Sequence, residues 1–146
     1  MKKALSILIV AVGLNAGDMA QDGFTGLTWQ DNRAIIDNMV TYKKAYNYCK
    51  DLKLGGFDDW RVPNITELLS LVSYNSYKPA IIGGFNFIED RFYWSSTRYK
   101  NHNGKNWGVD FRDGASEANG IDYDRRVRCV RTTKPKKKSI DKSIRG

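Results

Sequence analysis

Histidine, cysteine and proline are scarce in this chain, and long apolar runs are missing. The single histidine, His102, excludes any site that needs two. Two cysteines exclude four-cysteine zinc sites and thiolate-held iron–sulfur clusters. The longest apolar run, residues 4–14, falls short of the ~18 residues that a membrane-spanning helix needs. Acidic residues are outnumbered, 16 against 24 lysines and arginines, which gives a net charge of +8. The excess sits at the ends: Lys2 and Lys3 face no acid within residues 1–16, and residues 134–146 set six bases against Asp141 alone. Between them, 16 bases meet 15 acids. A nucleic-acid-binding fold would concentrate its cations on the folded body, so no nucleic-acid partner is expected.

Two lysines followed by a short apolar run read as a secretory signal covering residues 1–16, cleaved after Ala16. No cysteine follows that run to take a lipid. The expected location is therefore secreted or periplasmic, with no membrane segment after cleavage. Such a compartment is oxidising and lets Cys49 and Cys129 pair. Residues 133–146, rich in lysine and poor in apolar side chains, are predicted to be a disordered basic tail.

The folded core is expected over residues 23–132. Alternation of Leu27 and Trp29 with polar residues predicts a strand over 24–30. A first helix is predicted over 42–52, with Thr41 as N-cap, Ala45, Tyr48, Cys49 and Leu52 on the buried stripe, and Gly55-Gly56 beyond its end. A second is predicted over 65–73, where Asn64 and Glu67 have capping-box spacing. Residues 74–88 read as an irregular loop. Three strand-like runs follow at 92–98, 107–111 and 127–131, with tight-turn dipeptides Asn103-Gly104 and Asp113-Gly114 between them. Helices before antiparallel strands make an α+β fold: two helices packed on a twisted antiparallel sheet with long loops.

Four blocks carry a family resemblance. They are Gly26-Leu27-Thr28-Trp29-Gln30-Asp31; Ala45-Tyr46-Asn47-Tyr48-Cys49; Asp59-Trp60-Arg61-Val62-Pro63-Asn64-Ile65-Thr66-Glu67-Leu68; and Tyr93-Trp94-Ser95-Ser96-Thr97 with Trp107-Gly108-Val109-Asp110-Phe111 and Val127-Arg128-Cys129-Val130-Arg131. Together they resemble the C-terminal domain family of the Legionella collagen-like protein. That family is similar, more distantly, to the formylglycine-generating-enzyme domain and the C-type lectins. The resemblance implies a lectin-like fold and a surface adhesin that engages sulfated polysaccharide. The chain has no Gly-X-Y repeat, so trimer formation does not carry over.

Chemistry is thinly represented. Formylglycine-type oxidation needs two close reactive cysteines late in the chain, and only Cys129 lies there. Asp58, Asp59, Glu67, Glu89 and Asp90 offer carboxylates, but Glu67 has a capping role and Asp59 is expected to turn the chain or pair with Arg61. Val62-Pro63-Asn64 is similar to the calcium-binding tripeptide of C-type lectins with its acid replaced by valine, so no metal or other cofactor is expected. Not an enzyme but a non-catalytic binding module for anionic or sulfated polysaccharide is the expected role. The alternative is an envelope assembly protein that docks another protein. Candidate ligand-binding cations are Arg98, Lys100, Lys105 and Arg112 on the core and Lys136, Lys137 and Lys138 in the tail, because guanidinium and ammonium groups hold sulfate oxygens. Arg125, Arg126 and Arg128 lie near them in sequence, and Tyr74, Tyr77, Tyr99 and Tyr123 are candidates for stacking on sugar rings.

Overall fold

The computed structural model describes residues 17–133. The signal segment at 1–16 and Lys136, Lys137 and Lys138 lie outside the described residues. The elements are β1 (Met19–Asp22), β2 (Leu27–Gln30), α1 (Ala34–Asp37), α2 (Tyr42–Asp51), α3 (Ile65–Leu69), β3 (Phe92–Arg98), β4 (Lys105–Asp110), β5 (Ala115–Gly120) and β6 (Val130–Thr132). The class is α+β, as expected, but the strands form two antiparallel sheets, β1-β2-β6 and β3-β4-β5.

The second sheet separates two apolar clusters, because successive side chains of a strand point to opposite faces. Tyr93 and Val109 point to one side and pack with Phe111, Leu68 and Leu71. Phe92 and Trp94 point to the other and pack with Ala45, Cys49, Trp60 and Val127. α2 contributes Ala45 and Cys49, four residues apart and fully buried, while Lys43, Lys44 and Lys50 face water. Thr41 is its N-cap in extended conformation, though its hydroxyl makes no cap bond.

α3 carries the expected capping box. Asn64 Oδ1 accepts from the Glu67 amide at 2.8 Å, and Glu67 Oε1 accepts from the Asn64 amide at 2.9 Å. The helix stops earlier than its apolar pattern suggests. Beyond Ser70 the chain pairs with the 80–82 segment: Leu71 O accepts from Ile82, and Val72 bridges Ile81. Short-range periodicity yields there to a tertiary partner. β5 was not foreseen, since Ala-Ser-Glu-Ala-Asn-Gly lacks β-branched and apolar alternation; it pairs with β4 over all six residues.

Cys49 and Cys129 form a disulfide that closes 80 residues of chain. Removing it by Cys49→Ser with Cys129→Ser should lower unfolding free energy by about 4 kcal/mol, read from urea titrations. Glu67 offers a pH test. Burial raises its carboxyl pKa, but the Arg61 fork, at 2.6 and 2.7 Å, and the Asn64 amide outweigh that and hold it below 4.5. A depressed carboxyl stabilises the fold above its unfolded pKa and loses that contribution as pH falls through the lower folded value. Stability should therefore drop on acidification below about pH 4.5, and Glu67→Gln should flatten that part of the profile.

Candidate functional site

The arginines of the closing segment set the electrostatics of the molecule, and most of them point inward. Arg128 is 1% exposed and lies opposite an equally buried Asp31, with Nη1 3.4 Å from Oδ1. It also donates to Gln30 O at 2.7 Å and stacks over Phe85 at 4.6 Å. Burial pulls its pKa down, opposed by Tyr93 and Asp31. Asp31 in turn accepts from the Asn86 and Phe87 amides at 2.8 and 2.9 Å and so pins the long loop that precedes β3. Arg126 pairs with Glu89 and donates to the carbonyls of Ile35 and Ile36 at the end of α1.

Arg131 pairs with Asp59 through two bonds of 2.6 and 3.1 Å and lies 3.6 Å from the Phe57 ring centroid. The expectation that Asp59 pairs with Arg61 is thereby corrected: Arg61 forks Glu67 instead. The anchoring of α3 by Arg61 leaves Asp59 to the adjacent last strand. Gln30, also buried, connects the same region. Its Nε2 donates to Tyr48 Oη at 2.8 Å and its Oε1 accepts from the Cys129 amide at 3.2 Å.

The four cations proposed on the core do not converge. Arg98, Lys100 and Lys105 surround the β3–β4 turn: Arg98 pairs across with Asn106, and Lys105 O accepts from the Tyr99 amide. Arg112 follows β4 at its other end, about 17 Å away along the strand, and its Nη2 is 3.0 Å from Asp110 Oδ2. None of the ion pairs among the described residues involves Arg98, Lys100 or Lys105. Burial raises the pKa of the Tyr42 hydroxyl at the start of α2, opposed by a hydrogen bond with Asn106 and more weakly by the charge of Arg98.

Of the loop tyrosines, Tyr74 and Tyr77 are 81% and 66% exposed, Tyr123 stands beside Arg125, and Tyr99 packs edge-on against Trp107. Among the described residues no group of three His, Cys, Asp or Glu could hold a metal ion. His102 is an exposed turn residue whose Nδ1 accepts from the Gly104 amide at 3.1 Å. No helix among the described residues is long and apolar enough to cross a membrane.

Over residues 18–131 the chain matches the model of the Lcl C-terminal domain family. The chain belongs to that family. A search of curated proteins finds no match.

The Asp31–Arg128 pair gives a direct test. Asp31→Ala leaves a guanidinium buried without its carboxylate and should cost about 3–5 kcal/mol of stability, measured by denaturant unfolding. Arg98→Ala, on the exposed turn, should change stability by less than about 0.5 kcal/mol.

Proposed function

We propose that this domain is a non-catalytic module of a secreted, surface-associated bacterial protein, and that it binds anionic polysaccharide. Membership of the Lcl C-terminal domain family supports the surface-associated role, and the Cys49–Cys129 bridge suits an oxidising compartment. The observation that carries the ligand class is the division of the cations. Arg126, Arg128 and Arg131 are spent on carboxylates and carbonyls of the domain, whereas Arg98, Lys100 and Lys105 gather at one turn with no ion-pair partner among the described residues. Sulfate or carboxylate groups spaced along a sugar chain would meet these cations in turn. Such contacts are solvent-exposed, so their strength depends on salt.

Immobilised heparin or another sulfated polysaccharide provides the test. The protein should be retained near 0.15 M salt, and the variant Arg98→Ala, Lys100→Ala, Lys105→Ala should bind roughly tenfold to a hundredfold more weakly. Deleting residues 134–146 separates the tail from the folded surface. If the truncated protein with intact turn cations is not retained at that ionic strength, the folded domain is not the polyanion receptor.

A further inference from the structure

At the end of the second sheet where β3 begins and β4 finishes, β5 borders a cleft of about 230 Å³. Phe92 forms its apolar floor. The ring lies over Gly108, so closely that a Cβ at that position would be 2.2 Å from a ring carbon. Met39 closes one side.

The polar walls have an unusual balance. Asp110 is held by Arg112 at 3.0 Å and Asp90 by Arg91 at 3.6 Å, so these four cancel in pairs. Two groups remain without a charged partner among the described residues, and they carry opposite charges. One is Arg125. Its guanidinium stands between the rings of Phe92 and Tyr123, at 5.7 and 5.3 Å, and is oriented by Asn119 Oδ1, which accepts from Nε at 3.2 Å and Nη2 at 2.8 Å. A third N–H goes to Asp124 O, which leaves two of the five free for a ligand. The other is Glu117, exposed and on the same face of β5 as Asn119 two residues on.

We infer that this cleft is a binding site for a single uncharged pyranose ring, distinct from the cationic turn around Arg98. The charged groups of the lining balance, so the cleft gives neither a simple anion nor a simple cation a net electrostatic advantage. Each hydroxyl of a sugar both donates and accepts. Glu117 accepts from one, the free N–H groups of Arg125 donate to another, and the planar forms of both groups suit neighbouring hydroxyls. The C–H groups of the ring meet the exposed side chain of Met39. The volume, room for about eight waters, accommodates one ring. Asn119 is a positioning residue: it holds the guanidinium and need not touch the sugar.

The test is titration of the isotope-labelled protein with a panel of uncharged methyl pyranosides, including hexoses and N-acetylhexosamines, followed by NMR. At least one should shift the amides of Glu117, Asn119 and Arg125 saturably, with a dissociation constant on the order of millimolar. Raising salt from about 0.05 to 0.5 M should leave that constant within about twofold, unlike retention on a polyanion. Glu117→Gln, at the surface, and Arg125→Lys, half-buried at the rim, should each weaken binding by about fivefold or more with unchanged spectra away from the cleft. The inference is overturned if no pyranoside gives saturable shifts at the cleft, if either variant binds as the parent does, or if a free amino acid occupies the cleft and the sugars do not.

Discussion

The buried pair of Arg128 and Asp31 is the constraint on which the arrangement rests. Neither charge reaches water, and a guanidinium cannot discard its proton, so the surroundings must supply every partner. They do so from three distant stretches: the end of β2, the loop before β3 and the last extended segment of the chain. The net energy of such a pair is small beside what is lost if one partner is missing. Its effect is geometric. Asp31 gathers two loop amides, Arg128 takes the carbonyl of Gln30, and the loop is thereby docked beside the Phe85 ring without a strand or helix of its own.

A single segment, Arg125 to Arg131, distributes positive charge through the molecule by alternation. Arg126 and Arg128 turn inward, Arg131 lies along Phe57, and Arg125 is left at the rim of a cleft. A pI of 9.5 therefore overstates the charge that a ligand meets on the folded body. The cations free to act there are fewer, and their location at the β3–β4 turn follows from the antiparallel pairing, not from density in the sequence.

What sequence could reveal was local. β3 occupies the strand-like run at 92–98, and the capping box at Asn64 and Glu67 forms as its spacing requires. The disulfide needed only a buried helical stripe and an inward-facing residue near the closing strand, although β6 itself, at Val130–Thr132, is shorter than the expected 127–131 and begins just after Cys129. What could not be read depended on separation along the chain. Asp31 and Arg128 are 97 residues apart, and so nothing near either one announces the pair. β5 has no intrinsic strand preference and exists because β4 offers it a complete ladder. For the same reason the cleft was invisible: Glu117 and Arg125 belong to stretches that look like ordinary solvated loop, and only the register of β5 sets them beside Phe92.

The order β1-β2-β6 has a mechanical consequence. Both outer strands run antiparallel to β2, so they run parallel to each other. Tension applied through the two ends of the domain draws β1 and β6 in opposite directions along their axes. The ladder bonds are then loaded together in shear and do not open one at a time like a zip. Any unravelling that does start from Thr132 halts three residues later at Cys129, which is bolted to α2. Force applied across the two ends of the domain is thus met along the line of pull.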